Sequence, residues 1–226
     1  MRLGPELMRV PDFAALHDDG KLRLVERDAS TLLRLTRWPA TELYFGRNKA
    51  SRFDDPLQQY SVAYVARSLE VAFAETVLHE SALYDAGAWI VPGSMLRERS
   101  VVHLEADRAL RLADLTGPSL KRLGLDNQVS AGTDYGPTWA LSRALHESVP
   151  ECDGIVYVSR HNNTGEAVAL FERSGARIQP SSTQALESHP ALPHLLVLLG
   201  VELLPDADPP PGPQAESSRP ALKRIL

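Results

Sequence analysis

RFDDPLQQYSVAYVARSLEVAFAE, residues Arg52 to Glu75, reads as an arginine-bearing loop, a short strand and the first half of a helix. Ser61 to Arg67 has the β-branched and aromatic content of a strand, with Tyr64 at its middle. Ser68 is placed to cap the helix that follows, and Glu70 falls in the first turn, where the positive end of the helix dipole favours a carboxylate. From Leu69 to Leu78 the sequence LEVAFAETVL has almost no polar stripe, so most of its circumference is expected to be buried. Glu75 interrupts that run. At helical spacing its neighbours are Val71, Ala72 and Leu78, which puts a carboxylate on an apolar face. Leaving such a group unpaired costs roughly 1–3 kcal/mol in mutational terms, so a partner or a ligand is required nearby. Arg52 and Tyr64 are candidates for that role. The plainer alternatives are a salt bridge to an arginine inside the core, or a carboxylate turned to solvent.

Outward from this stretch, Thr31 to Arg37 (TLLRLTR) reads as a strand carrying Arg34 and Arg37, ended by Trp38-Pro39. Ala40 to Tyr60 has no clear period and is read as a long loop, ordered by Tyr44, Phe45 and Phe53. Downstream, strands are expected at Ala88 to Val91, Ser100 to Ala106 and Ala109 to Leu115. Short helices follow at Pro118 to Leu123 and at Thr138 to Ser148, the latter with Pro137 at its first turn. Asp153 to Tyr157 is the clearest strand. Ser159 lies at its C-terminal end, and the polar turn Arg160 to Gly165 returns into Ala167 to Phe171 as a hairpin. A helix over Ala191 to Leu199 and a last strand at Val201 to Leu204 complete the pattern. Residues 1–30, with one short helix at Phe13 to His17, are expected to be a loosely packing N-terminal extension. Residues 31–204 form the main domain, and 205–226 a flexible, proline-rich tail.

Composition excludes several classes. The single cysteine, Cys152, rules out a disulfide within the chain and fits a reducing cytoplasm. No segment approaches the roughly 18 apolar residues of a membrane span. A net charge of −5 argues against a broad nucleic-acid surface, though a local basic pocket for a small anion remains compatible with it. His79-Glu80 and His146-Glu147 lack the second histidine of a zinc-protease motif, and no glycine-rich phosphate loop is present. Ser159, His161 and Asp153 could be drawn as a hydrolase triad. Ser159, however, lacks the glycines of a nucleophile elbow. What remains is the set Arg52, Tyr64, Glu75 and Ser159.

That set carries a resemblance. LLRLTR at 32–37, SRF at 51–53, VAYVARSLEVAFAETV at 62–77, and DGIVYVSR at 153–160 followed by AVALFE come in the order of the RES domain family. The chain from Leu33 to Arg173 resembles that family, whose members are toxins of bacterial toxin–antitoxin pairs. Members often have glycines before the arginine and Trp-Asn after it. Here Lys49, Ala50 and Ser51 precede Arg52 and Phe53-Asp54 follow, so Arg47 stands as an alternative phosphate-binding arginine.

The resemblance implies a mixed α/β (α+β) fold similar to ADP-ribosyltransferases, with a central mixed or antiparallel sheet and flanking helices. It also implies an enzyme that degrades NAD as a substrate, without a cofactor or metal, using water or inorganic phosphate as acceptor. An Xre-type helix-turn-helix antitoxin, a homo- or hetero-oligomeric state and a cytoplasmic location follow from the same resemblance. Under this reading Glu75, Arg52 and Tyr64 are catalytic. Arg52, Tyr64, Ser159, Arg34 and Arg47 bind NAD: Arg52 clamps phosphate, Tyr64 stacks on or orients nicotinamide, and Ser159 hydrogen-bonds the nucleotide. Alternatives are ADP-ribose transfer to a macromolecule, or a nucleotide-binding or assembly module without catalysis.

Overall fold

The computed structural model describes residues 9–37, 43–79, 83–173 and 175–205; Trp38-Pro39 and the expected tail beyond Pro205 lie outside the described residues. In chain order the strands are β1 (Leu24–Arg27), β2 (Leu33–Thr36), β3 (Val62–Ala66), β4 (Leu83–Asp85), β5 (Ala88–Pro92), β6 (Ser100–Ala106), β7 (Leu110–Leu115), β8 (Gly154–Val158), β9 (Glu166–Phe171), β10 (Ile178–Ala185) and β11 (Val201–Leu204). The helices are α1 (Phe13–Asp18), α2 (Leu69–Phe73), α3 (Gly93–Arg97), α4 (Gly117–Arg122), α5 (Gln128–Ala131), α6 (Gly136–Ser148) and α7 (Leu192–Leu199). Eight strands form one sheet in the order β1-β7-β8-β9-β3-β2-β6-β10, and β11-β5-β4 form a smaller one. The mixed α/β expectation holds.

Among the described residues of the large sheet only β7 and β8 run parallel. A parallel pair cannot be joined by a tight turn, and the connection here is the crossover through α4, α5 and α6. Side chains alternate as strand geometry requires. Val62 and Ala66 of β3 pack into the larger cluster under α2 and α6, while Ala63 and Val65 face a second cluster with Val102, Leu112 and Val156. Both faces are therefore covered, which accounts for the nearly continuous apolar run in β3. Gly154 opens β8 because a Cβ there would stand 2.2 Å from the Ala169 carbonyl oxygen of β9.

Two expectations change. Residues 1–30 do not pack loosely over their described part: Phe13 is buried, α1 is capped by Asp12 Oδ1 accepting from Ala15 N at 3.0 Å, and β1 is an edge strand of the sheet, paired with β7. Four residues of LVER are too short a pattern to declare a strand. Likewise β10, IQPSSTQA, has no apolar alternation to announce a strand. It is mostly exposed and polar, and its order comes from backbone pairing with β6.

Candidate functional site

β2 and β3 pair at one position, Leu33 with Ala66, and then part. The gap holds a cavity of about 550 Å³, walled by β2, β3, the helix after β3, the Arg52 loop and the turn after β8. Splaying two central strands is costly in ladder hydrogen bonds, and it creates a concave site with backbone on both sides.

Glu75 enters this cavity from an unusual helix. Ser68 caps α2, its side chain accepting from Val71 N at 3.3 Å. After Phe73 the helix widens into a π-turn, Ala74–Leu78, before His79. Such turns are rare and concentrate at functional sites, because the extra residue re-aims a side chain. Glu75 sits in it, half-buried rather than enclosed. Its partners are neither Arg52 nor Tyr64. Ser159 Oγ donates to Glu75 Oε1 at 2.6 Å and Arg160 N donates to the same oxygen at 3.1 Å. Among the described residues no group bonds Oε2.

Ser159 is correspondingly placed behind the carboxylate. It is 1% exposed and does not line the cavity, which departs from its expected contact with a nucleotide. Its oxygen accepts from Asn162 N at 2.9 Å and His161 N at 3.2 Å, so one hydroxyl ties the strand end, the turn and Glu75 together. Sequence reading found the residue and missed its partner.

Arg52 lines the cavity and is largely buried. Its Nη1 donates to the Gly132 carbonyl at 2.8 Å and the Val129 carbonyl at 3.4 Å, and its guanidinium carbon lies 4.8 Å from the Tyr135 ring centre. These partners are neutral, so the charge is oriented without being neutralised. Arg47 is elsewhere. It binds Ser61 Oγ and Glu172 and is outside the cavity lining, whereas Arg52 is part of it. Arg34 lines the cavity from β2 and donates to the Tyr44 carbonyl at 2.6 Å; burial holds it below the usual arginine range.

Tyr64 presents its ring to the cavity, but its hydroxyl is spent on the Arg52 loop, donating to Asp54 Oδ1 at 2.9 Å and accepting from Phe53 N at 2.8 Å. Burial, with Asp54 beside it, holds this phenol well above its ordinary value. Sequence reading did not single out Tyr135, Tyr157, His79, Arg160 or Arg99 as lining residues, since their placement depends on the crossover helices and the hairpin turn. The His79 and His161 rings lie 4.5 Å apart. Burial lowers His161, with His79 and Arg160 acting in the same sense and Glu75 opposing, so its imidazole is neutral near pH 7.

Among the described residues, five arginines (Arg34, Arg37, Arg52, Arg99 and Arg160) and one carboxylate, Glu75, line the cavity of a chain whose net charge is −5. The arrangement suits a phosphate-bearing ligand with a centre of developing positive charge.

Comparison with known proteins gives concordant results. A family model described as the RES domain matches residues 31–193. The "Probable toxin y4kH" of Sinorhizobium fredii (strain NBRC 101917 / NGR234) is 32% identical over 112 residues, which are 48% of this chain and 85% of that relative. Among solved structures, the "Crystal structure of the M.tuberculosis MbcT-MbcA toxin-antitoxin complex" aligns over 84% of this chain and 98% of the neighbour's, with a TM-score of 0.59 and 19% identity. At that identity the likeness speaks to the fold.

Proposed function

The chain belongs to the RES domain family, and from that premise we propose that it is a toxin that degrades NAD by cleaving the bond between nicotinamide and ribose, with water or inorganic phosphate as acceptor. The observation that carries this reading is Glu75, held by Ser159 and Arg160 N on one oxygen with the other unbonded among the described residues, in an arginine-lined cavity. The similar relative is named a probable toxin and the similar structure is a toxin–antitoxin complex, which supports a cognate antitoxin for this chain; the Xre type of that antitoxin is what the family resemblance implies.

In the proposed reaction the C1′–N bond breaks heterolytically. Its electron pair passes to the pyridinium nitrogen, so nicotinamide leaves neutral while positive charge develops at C1′ and the ring oxygen. Glu75 Oε2 faces that charge, and the preorganised carboxylate needs no rearrangement as it forms. Arg52 and Arg34 hold the diphosphate. The Tyr64 and Tyr157 rings supply flat apolar wall for nicotinamide. Water, if it is the acceptor, attacks C1′ and gives its proton to the carboxylate; phosphate arrives already anionic.

The test is to follow NAD and its products by mass, with and without phosphate. ADP-ribose alone indicates hydrolysis, a phosphorylated ADP-ribose indicates phosphorolysis, and label carried onto protein or nucleic acid indicates transfer. Glu75→Gln is expected to lower turnover by about 10²–10⁴-fold, the range for a positioned charged catalytic group. Equal NAD consumption and equal growth arrest by wild type and this variant would end the enzyme reading.

A further inference from the structure

Four peptide groups flank Arg52, and side chains from the loop itself, from β3 and from α6 hold all four. Within the loop Asp54 Oδ2 accepts from Ser51 N at 3.0 Å, and from β3 the Tyr64 hydroxyl accepts from Phe53 N at 2.8 Å. Asp54 and Tyr64 are themselves joined, the phenol donating to Oδ1 at 2.9 Å. On the α6 side, Trp139 Nε1 donates to the Ser51 carbonyl at 2.8 Å and Ser142 Oγ to the Phe53 carbonyl at 2.7 Å. The residues immediately before and after Arg52 are thus fastened at both N–H and C=O, while Phe53 is sealed in the core. Asp54 is 2% exposed. Among the described residues no arginine or lysine pairs with it; its bonds go to the loop and to Tyr64. A buried carboxylate is costly to keep, and burial raises Asp54 above its ordinary value although hydrogen bonds to Ser51 and Tyr64 oppose this.

We propose that Asp54 and the Tyr64 hydroxyl form a bolt that sets where the Arg52 guanidinium stands in the cavity, so that Asp54 is a positioning residue for substrate phosphate and Tyr64 acts through the loop as well as through its ring. The proposal rests on the reading of this cavity as the NAD site. The chemistry of the phenol supports it: a tyrosine has one hydrogen to donate, and here Asp54 takes it, leaving none for a ligand. The loop also needs a fastening of this kind. Arg52's own partners are two carbonyls and an aromatic face, contacts that orient a guanidinium but do not fix the backbone from which it extends.

The test uses the full chain and the variants Tyr64→Phe, Asp54→Ala and the double variant, with steady-state kinetics on NAD, equilibrium binding of ADP-ribose, and amide hydrogen exchange. Each single variant is expected to raise KM and weaken ADP-ribose binding by about tenfold with kcat within about threefold, because Arg52 binds ground state and transition state alike. The double variant is expected to be no worse than the weaker-binding single one, since both break the same connection. Multiplying fold-changes in the double variant would overturn the bolt. So would a kcat collapse at unchanged KM, which would make the phenol a catalytic group, or a lowered melting temperature with unchanged KM and ADP-ribose binding. If wild type consumes no NAD, the functional reading fails by itself, and exchange still decides the bolt: loss of protection at Ser51 and Phe53 amides in Tyr64→Phe supports it, and unchanged protection sinks it.

Discussion

Glu75 reaches the cavity with one oxygen already occupied. The apolar spacing around it is visible in the sequence, and that spacing correctly demands a partner. The partner's identity is not visible, because Ser159 lies 84 positions away, just past the end of β8, a strand two places from β3 in the sheet. The family resemblance brings both residues forward, yet as separate ligand contacts. Only the fold shows that the serine acts on the glutamate. Removing the hydroxyl leaves Glu75 Oε1 with Arg160 N alone and deprives two amides, those of His161 and Asn162, of their acceptor. Ser159→Ala is therefore expected to cost roughly 1–3 kcal/mol of stability. On the proposed function, it should lower kcat by about ten- to a hundredfold, less than Glu75→Gln, because the carboxylate survives but loses its aim. Thermal melting and NAD turnover measured on one preparation check both; full activity in a destabilised Ser159→Ala would detach the serine from the chemistry.

At the scale of elements, sequence periodicity served the strands and the helix starts well. β3, β6, β8 and β9 and the capped start at Ser68 follow from alternation and capping chemistry. It failed where backbone geometry departs from a regular period. The π-turn Ala74–Leu78 has no side-chain signature, and the parting of β2 from β3 is a property of two strands distant in sequence. The β8–β9 turn is intermediate, since its polar residues announce a turn without saying what it packs on. It packs on α2: a Cβ at Gly165 would come within 2.2 Å of Val71 Cγ2, and Ser159 N donates to the Gly165 carbonyl at 2.9 Å. Val71 is buried and branched at Cβ, so it cannot swing aside. Gly165→Ala is expected to lose about 1–3 kcal/mol by overpacking. It should also push the turn, with Ser159 and Arg160, off Glu75, so that activity falls at temperatures where the variant is still folded. Wild-type activity in the folded variant would show that the turn and the carboxylate are not coupled.

For the whole molecule, acid stability tests how tightly the layer behind the Arg52 loop is packed. His146 of α6 stacks on Tyr60 with ring centres 3.8 Å apart and planes 5° from parallel, and it meets Phe171 edge-on. Burial, with the Arg173 charge nearby, lowers it from its ordinary 6.5 to about 4. Between those values the unfolded chain takes up a proton that the folded chain refuses, so stability present above pH 6.5 drains away as pH falls toward 4. His161 acts in the same direction from the cavity. The carboxylates follow later. Asp55 feels burial as a raising influence, but amides of Gln59 and Leu57 and the Arg143 side chain outweigh it and hold it below 3.8, so its contribution is lost only at lower pH. Urea unfolding at pH 7.5, 6 and 5 is therefore expected to show a decline in wild type that is shallower in His146→Phe, which keeps an aromatic ring against Tyr60 and cannot be protonated. The equilibrium m-value should stay constant across the series, showing that the same transition is being compared. Identical slopes for wild type and His146→Phe would mean that His146 titrates freely in the folded chain, and that the layer beneath the Arg52 loop is open to water.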